Sequence, residues 1–428
     1  MDRMTNIPRL EGKKRIVIVG GGFGGLKLAM KLNPKYFQVL LLDKNNYHQF
    51  QPLLYQVAIS GLEVSSIAYP FRKNFQKKNH IHFRMCEVTK IKASENIIET
   101  NGGSVRYDYL VVAAGCDTNF FGNDSLQHTT ITMKSASEAL FARNCILQSF
   151  EKAAISQNEE EIRQLMTFVI VGGGATGVEL AGSLADLKRF ILHKDYPELD
   201  LTQLQIHLVD ASPRLLAAMS EKASEHAAQT LQERGVVIHQ DVFVKSYEDD
   251  IVKISNGTEI VTKNVLWVAG IKPNHIDGLE EVEHSRNKRI QINEYCQVNG
   301  YDNVFAIGDI AYIETPDHPR GYPQVAQVAI QMGTFLAKHL ERLFRGESVQ
   351  AFKYVDKGSL ATIGRNAAVA DLHQLKFGGR VAWWIWLWVH IFSIVGVKNK
   401  ILIMLDWAWN YVTYDLSLRL LIRPVKRK

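Results

Sequence analysis

Short apolar runs and stretches of helical period take turns along most of the chain. Residues 15–19 are apolar after their first position, 24–32 follow a helical pattern, and Asn33-Pro34 stops it before a second run at 37–42. The same order recurs at 167–171, from 175 to about 188, and at 205–209. Runs without polar alternation predict strands covered on both faces, as in a parallel sheet between helices. Residues 107–115 and 264–270 are further strand patterns, and both end in Ala-Gly. Residues 303–309 bring the chain back toward its first unit, and 324–331 are helix-like. Alternation of this kind predicts an α/β fold.

Both strand-to-helix joints carry one glycine spacing, Gly20-x-Gly22-x-x-Gly25 and Gly172-x-Gly174-x-x-Gly177. The first glycine permits the tight turn, the second lets backbone approach a pyrophosphate, and the third allows close helix–strand packing. The helix N-terminus then offers free N–H groups and partial positive charge to phosphates. An acidic residue ending the next strand accepts hydrogen bonds from ribose hydroxyls. Asp43 stands 23 positions after Gly20, and Asp210 stands 38 after Gly172, with an insertion at 189–204 filling the longer gap. A single glycine-rich turn can lack any ligand. Two, each with strand, helix and acid in order, predict two bound dinucleotides and electron transfer between them. A carboxylate at Asp210 disfavours a 2′-phosphate and so favours NADH over NADPH, with Arg214 nearby as a counterweight. Gly308-Asp309 reads either as a helix cap or as an aspartate on the ribityl chain of a flavin.

A chain of 428 residues exceeds one ordinary core, so two or three domains are expected. Its four cysteines are scattered, with no CxxC pair and no metal-ligand spacing. That pattern predicts no metal, no disulfide framework and a reducing compartment. Residues 1–14 lack the apolar core of a secretory signal, so the protein is expected to stay on the cytoplasmic side. Residues 376–428 hold nine Lys or Arg against two Asp, while the rest holds 41 basic against 42 acidic residues. Six of the seven tryptophans share that basic tail, which predicts an anionic membrane surface as partner and no nucleic acid. Residues 381–397 contain no Lys, Arg, Asp or Glu, but 17 residues make a helix of only about 25 Å, short of the hydrocarbon thickness of ~30 Å. Tryptophan also favours the bilayer interface. The expected arrangement is monotopic, with the basic end 423–428 on headgroups; a buried homodimer interface or a true span are the alternatives. The expected fold is α/β with two Rossmann-like dinucleotide-binding domains, the second inserted in the first, plus C-terminal amphipathic membrane-anchoring helices. The bounds read 1–130 with 300–370, then 131–299, then 371–428.

These motifs resemble the two-dinucleotide-binding-domain flavoproteins, and most closely the type II NADH:quinone oxidoreductases. The resemblance runs through Gln51-Pro-Leu-Leu-Tyr-Gln-Val-Ala58, the second glycine helix with Glu179, Pro213-Arg-Leu-Leu216, Ala326-Gln-Val-Ala-Ile-Gln331, Gly358-Ser-Leu-Ala-Thr-Ile-Gly364 and the Trp-rich tail. It implies FAD at Gly20, Gly22, Gly25, Asp43, Ala114, Gly115, Asp309, Ala326 and Gln327. It implies NADH at Gly172, Gly174, Gly177, Asp210 and Gly270. Glu179 is then the carboxylate near the meeting of nicotinamide and flavin, although a charged helix residue is ordinarily a solvated one. Gln327 and Gln331, one helical turn apart, would border the quinone side of the flavin, unless the backbone satisfies both amides. Lys376 is either near the quinone entrance or an interfacial lysine. The family implies a peripheral, non-pumping enzyme on the cytoplasmic face of the inner membrane, likened to homodimers. Two departures stand out: Ala113-Ala114-Gly115 lacks the hydroxyl of Ala-Thr-Gly, and Asp210 replaces the commoner glutamate. The rivals are a sulfide:quinone oxidoreductase, which needs reactive cysteines such as Cys116 and Cys296, and a membrane flavoprotein that senses NADH.

Overall fold

The computed structural model describes residues 7–372, 374–415 and 418–421. The basic end expected on headgroups, 423–428, lies outside them. The chain forms two compact units, Met1–His48 with Tyr69–Asp117 and Ile271–Asp356, and Gln49–Ala68 with Thr118–Gly270 and Lys357–Lys428.

In the first unit five parallel strands lie in the order Val304–Ala306, Tyr109–Val112, Lys14–Val19, Phe37–Asp43, Ile81–Met85. Five of the six residues of Lys14–Val19 are buried, as a strand covered on both faces requires. The second unit repeats the plan with Ile131–Thr132, Asn264–Trp267, Thr167–Val171, Gln205–Val209 and Val236–His239, again parallel. Each glycine strand lies where the strand order reverses, so its carboxyl end opens at the crevice that binds ligands in such sheets. The duplication reaches further than the glycine motifs. An antiparallel meander (Val88–Lys92, Ile97–Thr100, Gly103–Arg106) precedes Tyr109–Val112, and another (Val244–Glu248, Ile251–Ile254, Glu259–Val261) precedes Asn264–Trp267.

The unit boundaries differ from those read at 130/131 and 299/300. After Gly270 the chain already belongs to the first unit, because Ile91 N–H donates to Asp277 O at 2.8 Å and Ile290–Gln291 pairs with Ala311–Tyr312. Residues 357–370 belong with the second unit, where Ser359–Gly364, Ala367–Leu372 and Leu375–Gly378 form an antiparallel sheet.

The tail forms two helices, Arg380–Ser393 and Val397–Thr413, and the break between them, with Gly396 at φ +90°, falls inside the run read at 381–397. In the first, Ala382 and Trp386 face inward while Val381, Trp384, Trp388 and Phe392 are exposed. In the second, Asn399 and Ile403 are buried while Ile401, Leu405, Trp409 and Val412 are exposed. Among the described residues no helix is long and apolar enough to cross a membrane.

Candidate functional site

The first glycine turn is built as a phosphate cradle. The helix Phe23–Lys31 has no side-chain cap at its N-terminus, and no atom lies within 4 Å of where a Cβ on Gly22 would stand. Open space in front of free N–H groups is what a pyrophosphate requires. A Cβ on Gly25 would instead sit 1.9 Å from Gly20 O, which explains the third glycine. Asp43 accepts from Gly21 N–H at 2.6 Å and from Asn45 N–H at 2.7 Å. Burial pushes its carboxyl up while these donors pull it down. Each carboxylate oxygen retains a lone pair for a ribose hydroxyl. Two residues of this cradle carry no recognisable signal in the sequence: the buried His48 ring bonds Gly21 O through Nδ1 at 3.0 Å, and Phe71 covers the site of a Cβ on Gly21.

The rest of the first set lies in the same unit. Asn274 holds the strand end, with its side-chain amide donating to Ala114 O at 2.8 Å and its backbone N–H to Gly115 O at 3.1 Å. The Cys116 thiol donates to Asp309 Oδ2 at 3.1 Å, and Gln324 donates to Asp309 O at 2.9 Å. Ala326 opens the helix Ala326–Phe344, whose N-terminus also lacks a side-chain cap. The glutamines are partly engaged. Gln331 exchanges two hydrogen bonds with the Val355 backbone, at 2.8 and 3.0 Å, and Gln327 donates to Asp356 Oδ1 at 3.2 Å.

The second turn copies the first. Gly174 is open, a Cβ on Gly177 would lie 1.7 Å from Gly172 O, and the helix Ala175–Leu187 is uncapped. Asp210 accepts from Gly173 N–H and from Ser212 N–H, the latter at 2.7 Å. Arg214 is drawn into its own loop, donating to Met219 O at 2.8 Å, Ser224 Oγ at 2.6 Å and Ala217 O at 2.9 Å. Its guanidinium is thus committed elsewhere than to a 2′-phosphate. Asn119 N–H meets Gly270 O at 3.3 Å, and the Phe121 ring covers Gly270.

Glu179 is the least ordinary residue of this unit. It is 6% exposed on the helix Ala175–Leu187, not solvated as a charged helix residue ordinarily is. That helix packs so closely on Ser359–Gly364 that a Cβ on Gly182 would meet Ile363 O at 2.0 Å. The contact leaves Glu179 Oε1 with one long hydrogen bond, 3.4 Å from Thr362 N. Burial pushes the carboxyl up to about 8, against smaller pulls from Thr362 N–H and the Trp386 indole. Trp386 is itself buried, and among the described residues its indole N–H has no acceptor at full hydrogen-bond geometry. Trp386, Thr362 and Tyr55 also line a cavity of about 160 Å³, together with Trp383, Trp407 and Tyr411. Lys376 is exposed on Leu375–Gly378, opposite Asp371, whose carboxylate caps the helix Glu221–Glu233 through Ser220.

None of the four cysteines forms a disulfide. Burial raises the thiols of Cys86, Cys145 and Cys296, the opposite of what a nucleophilic thiolate needs. Replacing Cys116 by serine is expected to leave NADH-dependent turnover within about twofold of the parent, since the hydroxyl can still donate to Asp309. Steady-state rates with a quinone acceptor check this.

Two uncapped helix ends, each with a glycine turn clasped by a strand-end aspartate, define a protein that holds two dinucleotides. Residues 14–333 match the family described as pyridine nucleotide-disulphide oxidoreductase, and 357–413 match the NDH2 C-terminal domain. The chain is 36% identical over 416 residues to the type II NADH:quinone oxidoreductase Ndh of Mycobacterium tuberculosis, covering 94% of this chain and 89% of that protein. It belongs to the type II NADH:quinone oxidoreductases. Its fold matches the NDH2 of Plasmodium falciparum, solved in complex with NADH, at TM-score 0.87 and 21% identity, covering 96% of this chain and 100% of the other. It also matches the sulfide:quinone oxidoreductase of Aquifex aeolicus at TM-score 0.73 and 19% identity, over 94% and 95% of the chains. Fold alone therefore does not separate the two activities.

Proposed function

We infer that this protein oxidises NADH and reduces a quinone to quinol as a flavoenzyme. The observation that carries the reading is the repeated clasp, Asp43 on Gly21 and Asp210 on Gly173, in a chain that also bears the NDH2 C-terminal segment. The first cradle fits FAD: open space at Gly22, an uncapped helix end, and Asp43 and Asp309 with acceptor oxygens. When bound there, FAD supplies the chemistry, taking a hydride from NADH and giving two electrons to quinone.

The chain's own residues orient and exclude. The Gly172 turn and Asp210 hold the adenosine half of NADH, and the commitment of Arg214 to its loop supports preference over NADPH. Glu179, protonated at neutral pH by its burial, adds no charge where the nicotinamide would sit. Gln327 and Gln331 are assigned to the quinone side and Lys376 to the quinone's approach. The exposed faces carrying Trp384, Trp388, Leu405 and Trp409 rest on an anionic leaflet at the cytoplasmic face, and could also join two copies as a homodimer. That no helix among the described residues is long and apolar enough to cross a membrane supports an enzyme that does not pump protons.

In the test, purified holoenzyme is mixed with NADH, then with a short-chain quinone, while flavin absorbance is followed. The expected record is bleaching followed by recovery and sustained turnover. A flavin that stays reduced after quinone addition would overturn this reading.

A further inference from the structure

The last helix, Val397–Thr413, presents an apolar stripe outward, yet it is held inward by an arginine from another element of its unit. Arg365 sits in the turn between Ser359–Gly364 and Ala367–Leu372. Its guanidinium donates to Asn410 O at 3.0 Å and to Tyr411 O, two of the carbonyls that end the helix. The helix has no basic residue in its own last turn, so Arg365 provides the positive charge its C-terminal dipole favours. The same guanidinium lies 3.6 Å from the Tyr414 ring centroid and 4.5 Å from that of Tyr411, a stacking that a lysine cannot reproduce.

The other end of this contact is anchored in the nucleotide-binding part of the unit. Arg365 N–H donates to Asp186 Oδ2 at 2.6 Å, and Arg234 donates to Arg365 O at 2.9 Å while pairing with Asp186. Asp186 lies two turns beyond Glu179 on the helix Ala175–Leu187. Tyr414 packs against Phe190, ring centroids 5.2 Å apart, on the turn Lys188–Leu192 that continues that helix. Further along, Trp407 Nε1 donates to Gln56 Oε1 at 2.8 Å and its ring lies 5.5 Å from that of Trp386. Arg365 thus works with Asn410, whose side-chain amide donates to Gly61 O at 3.3 Å, and with Arg419, paired with Asp195, to fix the C-terminal end of the helix that carries Trp407 against Trp386.

We propose that Arg365 is a positioning residue that latches the membrane-facing last helix to the NADH-binding body. The proposal rests on the reading that quinone arrives through this tail. Quinone turnover depends on the latch, whereas NADH oxidation by a soluble acceptor does not.

The experiment uses full-length holoenzyme carrying Arg365→Ala, Arg365→Lys or Tyr414→Leu. NADH:ferricyanide and NADH:quinone rates are read beside tryptophan emission, with vesicles of phosphatidylglycerol present. For Arg365→Ala the ferricyanide rate stays within about twofold while quinone turnover falls about tenfold or more. Emission shifts to the red as Trp386 and Trp407 meet water. Arg365→Lys recovers less than half of the loss, because charge returns without the fork and the stack. Tyr414→Leu acts in the same direction from the helix side, and the double variant loses less than the sum of the two single losses, because the Arg365–Tyr414 contact is shared while the Phe190 contact of Tyr414 is not. Unchanged emission and quinone turnover in Arg365→Ala would overturn the latch, as would equal losses with both acceptors or additivity in the double variant. A parent enzyme that fails to reduce quinone overturns the functional reading instead, while the emission shift still tests the latch.

Discussion

Replacing Gly25 by alanine is expected to give protein purified without flavin, whereas replacing Gly177 gives yellow protein that NADH no longer bleaches. In both cases the added methyl meets a backbone carbonyl, at 1.9 Å from Gly20 O or 1.7 Å from Gly172 O. These carbonyls belong to turn residues tied to the neighbouring strand, Gly20 N–H to Leu42 O and Gly172 N–H to Val209 O, both at 2.8 Å, and cannot move aside as a flexible side chain would, so the turn itself must open. Overpacking of this severity costs about 3 kcal/mol or more, which is about a hundredfold in affinity or in kcat/KM. The two losses should be separable because the proposed function assigns the two turns to different nucleotides. Flavin content by absorbance, and bleaching by NADH against bleaching by dithionite, read them independently. Gly22→Ala is a useful contrast, since its methyl meets no protein atom within 4 Å. That variant should fold at parental stability and yet bind FAD weakly, because the methyl occupies the space left for phosphate. Loss of flavin from Gly177→Ala, with the fold intact, would refute this division of labour.

The glycine joints were legible because everything that makes them is local. The strands Thr167–Val171 and Gln205–Val209 run over the residues that their apolar runs indicate, and the acidic residues stand at the strand ends. What lay beyond reading was whatever a distant segment supplies. Asp43 and Asp210 are recognisable as ribose acceptors, but nothing local says that each also pins its glycine turn through a backbone N–H. His48 and Phe71 complete the first cradle from positions with no motif of their own. The apolar run at 381–397 reads as ending at the charges of Lys398 and Lys400, with a second stretch at 401–412, whereas the helices divide at Gly396, inside the segment free of charge. Glu179 is the clearest case. Its helix pattern is that of a solvated carboxylate, and its burial depends on Thr362 and Trp386, about two hundred residues away in sequence.

That burial has a consequence for pH. The Glu179 carboxyl titrates at about 8 in the folded chain, against 4.5 for the free group, because desolvation disfavours the charged form. Between those values the unfolded chain has released a proton that the folded chain retains. Stability from this group is therefore complete below pH 4.5, is lost as pH rises, and is gone above pH 8. Glu179→Gln removes the titration while keeping shape and polarity. The variant should match the parent near pH 5 and be more stable at pH 9, by an amount on the order of a few kcal/mol. Melting temperatures of both proteins across pH 5–9 test this, and parallel curves would show that Glu179 is not held neutral. The rate of flavin reduction by NADH gives a second reading. A carboxyl that is neutral at pH 7 leaves the Gln variant close to the parent there. The parent's rate then changes through an inflection near pH 8 that the variant lacks, because only in the parent does a negative charge form where we propose that the nicotinamide sits.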